Sequence, residues 1–190
     1  MCKIFKTLGK GEYQMVEVTF LGRGGQGAFT SSRILGAAAS LFDNKYALSF
    51  PSFGPERRGA PVLAYTKIDT KPIRSRSQSV LSDYIVVLDE SLYNEKLLKM
   101  LKADGKIVLN TPRQTNCEYI IDFNATKAAK QYLGTPITNT AMLAVLAANS
   151  NIVSKENLLA AIDYDMPERI ASRNKSLVTH IFENSGGADV

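Results

Sequence analysis

Six consecutive residues, Gly22-Arg23-Gly24-Gly25-Gln26-Gly27, are the first candidates for chemistry in this sequence. Gly22, Gly24 and Gly27 fall at the G-x-G-x-x-G spacing, after the apolar run MVEVTFL and before a small-residue helical pattern. That strand–turn–helix context is what gives the spacing meaning. The first glycine permits a tight turn, the second lets a phosphate approach the backbone, and the third lets helix and strand pack closely. The N–H groups of the first helical turn then face an anion. Gln26 heads the helix, where its amide reaches either a ligand or the facing loop. A dinucleotide site also needs a carboxylate at the end of the second strand, roughly 20 residues on, to hold the ribose. Here the second strand, residues 46–50, runs into Pro51-Ser52 without one, and Asp43 precedes it at a helix-to-strand turn. The scaffold reads as Rossmann-like, and the missing carboxylate counts against NAD.

A second constellation follows at residues 51–61. Three prolines stiffen this loop and two glycines open it, and it presents Glu56, Arg57 and Arg58 side by side. Between Arg57 and Arg76 stand six basic residues (Arg57, Arg58, Lys67, Lys71, Arg74, Arg76) and one acidic residue, Asp69, an excess as large as the whole chain's +5. Two readings stand: the solvated face of a hairpin, or a surface for a phosphate-bearing cofactor or an acidic patch on a partner. Nucleic acid fits poorly, because no helix-turn-helix, zinc pattern or aromatic platform accompanies the charge.

Taken together, GRGGQG and SFGPERRGAP resemble the gamma subunit of the 2-oxoacid:ferredoxin oxidoreductases, the pyruvate synthase group. The resemblance continues through the predicted hairpin after Pro61, the strand IVVLDESL and the stretch PITNTAML at residues 136–143, and so covers most of the chain. It implies a thiamine-dependent enzyme that decarboxylates a 2-oxoacid, passes electrons through iron–sulfur clusters to ferredoxin and transfers the acyl group to coenzyme A. The run Arg57-Arg58-Gly59-Ala60-Pro61 looks more like the pyruvate or branched-chain members than the 2-oxoglutarate or indolepyruvate types. Thiamine diphosphate, magnesium and the clusters are expected on alpha, beta and ferredoxin-like delta chains, and no cofactor is expected to bind firmly here. Coenzyme A at the interface is the contact this chain would offer. Its candidate residues are Gly22, Arg23, Gly24, Gly25, Gln26, Gly27, Glu56, Arg57 and Arg58, with no catalytic residue and no metal ligand. Two alternatives stay open: a purely architectural module whose glycine turn is filled by protein, and a free-standing nicotinamide dehydrogenase.

The remaining residue types narrow the field. Cys2 and Cys117 are the only cysteines, and iron–sulfur clusters normally take four. With a single histidine, His180, a structural zinc site is nearly excluded. Cys117 has no flanking cation to lower its pKa and reads as inert. The adjacent Asp89 and Glu90 at a strand end read as helix-capping groups. No apolar run approaches the roughly 20 residues of a membrane span, and the stretch MCKIFKTLGKGEYQ has no signal-type apolar core, so a cytoplasmic location is expected.

Elements that would position these residues follow from periodicity. The 190 residues, 45% hydrophobic and 22% charged, suit one α/β domain, with residues 1–14 and 185–190 as loose ends. The fold class expected is a single-domain, Rossmann-like, mostly parallel sheet with helices on both faces and an inserted antiparallel hairpin. Strands are predicted over 15–21, 46–50, 84–88, 106–109 and 118–123, with a hairpin of 62–68 and 73–79 around Asp69-Thr70-Lys71-Pro72. In that hairpin Arg74 and Arg76 would share a face. Helices are predicted over 28–42 and 125–133, and from about Ser91 to Asp104-Gly105 with Tyr93, Leu97, Met100 and Leu101 inward. The run AMLAVLAA at 141–148 predicts a helix buried on all sides, by its own core or by another subunit. Ser154 is placed as the cap of the next helix, and Pro167 opens a last one with Ile170, Leu177, Val178, Ile181 and Phe182 on its apolar side.

Overall fold

The computed structural model describes residues 15–52 and 59–185. Of the expected loose ends, 1–14 and 186–190 fall outside the described residues, as do Glu56, Arg57 and Arg58, whereas Ser185 belongs to the last helix. The elements run β1 (Val16–Arg23), α1 (Ala28–Phe42), β2 (Tyr46–Pro51), β3 (Pro61–Asp69), β4 (Ser82–Val87), β5 (Leu101–Asn110), β6 (Ile120–Phe123), α2 (Ala125–Leu133), α3 (Asn139–Ala148), α4 (Lys155–Asp165) and α5 (Glu168–Ser185). Two short 3-10 turns, Glu90–Leu92 and Glu95–Met100, lie between β4 and β5.

The strands form one sheet in the order β2-β3-β1-β4-β5-β6. β1, β4, β5 and β6 pair in parallel, whereas β3 runs antiparallel to both β1 and β2. Side-chain alternation sorts the sheet into two faces. Val18, Phe20, Val86 and Val108 point into the larger core with all five α-helices. Ile85, Val87, Ile107 and Leu109 point the other way, into a smaller core that Leu92 and Leu97 of the 3-10 turns help to close. Helices thus cover both faces, α-helices on one and 3-10 turns on the other.

Three sequence expectations are corrected. The antiparallel hairpin is β2 with β3, one strand earlier than expected, and residues 73–79 form no strand. β3 already has a neighbour on each edge, so no ladder position is left for a second hairpin partner. The helix expected from Ser91 breaks into two 3-10 turns, because the Asn94 side chain accepts from Lys96 N at 3.1 Å and starts a new turn. β5 then runs straight through Asp104-Gly105, which was expected to end that helix. A Cβ at Gly105 would lie 3.0 Å from the carbonyls of Lys102 and Ser82, where the β4–β5 register shifts. The glycine therefore marks a bulge rather than a helix stop.

The helix apolar on all sides is α3, and nine of its residues, Asn139–Ala147, are buried within this chain. Its own core covers it, which removes it as a docking surface for another subunit. Ser154 caps α4, accepting from Asn157 N at 3.1 Å. On α5, Leu177, Val178 and Ile181 are buried as expected, but Ile170 is 52% exposed.

Candidate functional site

β1 and β4 are parallel neighbours, yet the chain leaves them toward opposite faces: β1 leads into α1 and β4 into the 3-10 turns. In open α/β sheets the crevice at such a divergence, beyond the carboxyl ends of the strands, is where ligands bind. The glycine turn extends from β1 at this point, and Asp89 extends from β4.

The turn is closed by reciprocal bonds. Arg23 N donates to Gln26 Oε1 at 2.7 Å, and Gln26 N donates to Arg23 O at 2.9 Å. Both side chains then converge on one carboxylate oxygen: Arg23 Nε donates to Asp89 Oδ2 at 3.1 Å and Gln26 Nε2 at 3.0 Å. The Arg23 guanidinium also donates to Ser91 Oγ at 2.8 Å and to the Gly59 carbonyl at 3.0 Å. Burial would raise the Asp89 pKa, but hydrogen bonds from the Ser91 and Gln26 side chains and from Ser91 N, with the Arg23 charge, outweigh it. The carboxyl is held below its ordinary value of 3.8. Asp89 does cap the 3-10 turn, through Ser91 N at 3.0 Å, and it also locks the glycine turn to β4.

The glycines do different work from the expected set. Gly24 exchanges backbone bonds with the incoming chain, its N donating to Ala60 O at 2.8 Å and its O accepting from Gly59 N at 3.3 Å. Protein, not phosphate, makes the close approach there. Gly27 is in the left-handed region at φ 82°, and a Cβ would lie 2.6 Å from Asn139 Nδ2. It lets α1 and α3 meet, a contact continued by Ser31 Oγ donating to Asn139 O at 3.1 Å. Gly25, at φ 95°, faces open space. Gly27 provides no side-chain cap for α1, and among the described residues nothing accepts from the N–H groups of Ala28, Phe29 or Thr30. Three free donors at the positive end of a helix dipole, beside a carboxylate already neutralised by Arg23, fit a phosphate group.

The described members of the basic segment do not share one surface. Lys67 is 3% exposed inside β3 and pairs with Glu17 at 3.3 Å. Lys71, Arg74 and Arg76 are exposed on the connection to β4. The contacts of Asp89 beyond capping, and the contact of Asn139 with Gly27, depend on strand order and helix placement and so are not visible in the sequence. Asn110, at the carboxyl end of β5, spends its amide on Leu88 O at 2.9 Å and on Thr126. His180 stacks on Tyr132 with ring centroids 4.9 Å apart. Among the described residues no group of three or more His, Cys, Asp or Glu is arranged to hold a metal ion, and no helix is long and apolar enough to cross a membrane.

A strand–glycine turn–helix at the switch point of a mixed sheet defines a Rossmann-like class. Residues 17–183 match the pyruvate ferredoxin/flavodoxin oxidoreductase family, and the chain belongs to that family, as a gamma-type subunit. It is 43% identical over 172 residues to the pyruvate synthase subunit PorC of Methanothermobacter marburgensis, covering 89% of this chain and 97% of that one. Against the pyruvate/ketoisovalerate oxidoreductases common subunit gamma of Pyrococcus abyssi the identity is 39%, covering 90% and 97%. The crystal structure of the Thermotoga maritima pyruvate oxidoreductase subunit PORC superposes with a TM-score of 0.77 at 29% identity, covering 90% of this chain and 97% of that one. A 2-oxoglutarate:ferredoxin oxidoreductase from Magnetococcus marinus, solved with coenzyme A and succinyl-CoA bound, matches at TM-score 0.71 and 17% identity. This chain covers only 31% of its length, and the likeness concerns the fold.

Proposed function

We propose that this chain is the accessory, non-catalytic component of a cytoplasmic complex that oxidises a 2-oxoacid, pyruvate foremost, to acyl-CoA and CO2 while reducing ferredoxin. Alpha, beta and ferredoxin-like delta chains would accompany it, holding thiamine diphosphate, magnesium and the iron–sulfur clusters. Coenzyme A is the ligand this chain would touch. The observation that carries this reading is the uncapped start of α1 opening onto the switch-point crevice beside Gly25. There, Gly25, Gln26 and Gly27 with the first helical N–H groups would receive a phosphate. Gly22, Arg23 and Gly24 hold the turn in shape, and Glu56, Arg57 and Arg58 would supply the charged rim. Two thiols and one histidine in the whole sequence leave the electron-carrying groups to the companion chains.

A second reading, the architectural module, is favoured by one specific contact. The backbone of Gly24 is already paired with Gly59 and Ala60, as a turn filled by protein requires. The assembled enzyme separates the two. With Arg57→Glu and Arg58→Glu together, the KM for coenzyme A should rise about tenfold or more, the scale of one lost charge-assisted contact. The KM for the 2-oxoacid and the subunit ratio should stay unchanged. A coenzyme A dependence equal to that of the unaltered complex would leave the architectural reading in its place.

A further inference from the structure

α5 and the start of α3 line an open pocket of about 250 Å³. It falls just below the roughly 300–1,000 Å³ of drug-sized sites, and so suits a small metabolite. Leu133, Met166 and Ile170 give it an apolar wall.

Its charged side chains and the helix end it contains favour negative charge. α3 begins here, a helix of ten residues whose N-terminus has no side-chain cap. Thr140, in its first turn, lines the pocket, is 1% exposed, and its Oγ1 has no hydrogen-bond partner among the described residues. A buried hydroxyl without a partner is the kind of exception that a bound oxygen resolves. Arg169 and Arg173, one turn apart on α5, also line the pocket, and neither has an ion-pair partner among the described residues. The two carboxylates at the carboxyl end of α4 are committed elsewhere: Asp163 pairs with Lys175 at 2.7 Å and Asp165 with Arg33 at 2.8 Å.

We propose that this pocket binds a small carboxylate carrying a short apolar tail. The planar carboxylate matches the forked guanidinium donors, with Thr140 and the α3 N–H groups behind them, and the tail lies on Leu133, Met166 and Ile170. Phosphate suits it less well, because a dianion would leave oxygens facing an apolar wall. Asn139, which lines the pocket, also packs against Gly27, but the proposal does not depend on a coenzyme A contact at the glycine turn.

The test is calorimetry and amide NMR on the full-length chain, repeated on the assembled enzyme, with 3-methylbutanoate, the neutral 3-methylbutanamide and inorganic phosphate as probes. The acid should bind saturably in both preparations, shift the Thr140 and Arg173 signals, and bind at least tenfold more tightly than the amide or phosphate. Arg169→Gln with Arg173→Gln should weaken the acid at least tenfold and leave the amide unchanged, whereas Ile170→Ser should weaken both. These positions are exposed, so the variants should retain the circular dichroism spectrum of the parent. Equal binding of acid and amide would overturn the proposal, as would phosphate binding as tightly as the acid. Loss of binding in the assembled enzyme would overturn it as well, by showing that a companion chain fills the groove.

Discussion

Asp89 accepts from Arg23, Gln26 and Ser91, so its ionised form belongs to the folded glycine turn. Its pKa is depressed by those partners. The stability it contributes is therefore fully present above the ordinary carboxylate value and is lost as pH falls through the lower, folded value. Asp89→Asn should lower stability at pH 7 by about 1 kcal/mol, since the site is part-exposed. The gap from wild type should begin to close only below pH about 4. Thermal unfolding of both proteins across pH 2–8 measures this, and a gap that closes between pH 5 and 7 would contradict it. Arg23 and Gln26 were legible as turn residues because glycine spacing announces a turn. The second role of Asp89 was not, because only the strand order brings the end of β4 beside the end of β1.

At the scale of elements, the meeting of α1 with α3 shapes the crevice. Gly27→Ala would impose a left-handed backbone on alanine and press its Cβ onto Asn139, at a cost of about 1–3 kcal/mol. Adding Asn139→Ala should recover the steric part and leave the backbone part, which a double-mutant unfolding series would separate. Helices α1 and α2 were legible to the residue, since their apolar stripes and flanking turn residues agree. The predicted 73–79 strand failed because alternation reports a local preference and says nothing about whether a ladder edge is free. The predicted helix after Asp89 failed because Asn94 offers the backbone a competing bond, which helical periodicity in Leu97 and Leu101 does not reveal. The burial of α3 was legible; that its own chain provides the burial was not.

Across the whole molecule, charge is apportioned between fold and surface in a way that counting residues conceals. Lys67, from the basic segment, is buried against Glu17, and Glu17 in turn accepts from Ser79 Oγ at 2.9 Å and lies 3.7 Å from Lys102. This network ties β1 to β3, to β5 and to the exposed connection before β4. Glu17→Ala would strand a buried ammonium and should cost about 3–5 kcal/mol, whereas Lys67→Met, which leaves Glu17 compensated by Lys102 and Ser79, should cost distinctly less. Denaturant unfolding of the two variants checks the contrast, and equal losses would contradict it. The family was legible from two motifs because each is a short contiguous string. The crevice beside the glycine turn was not, because it is assembled from β1, β4, α1 and α3.

The central claim is that this polypeptide works only inside a larger enzyme. The most direct measurement is a dye-reduction assay with pyruvate and coenzyme A, run on the purified chain alone and on the complex that co-purifies with it. The chain alone should show no oxidation, the complex should be active, and that activity should be lost when the chain is left out of reconstitution. Substrate oxidation by the isolated polypeptide would contradict the claim.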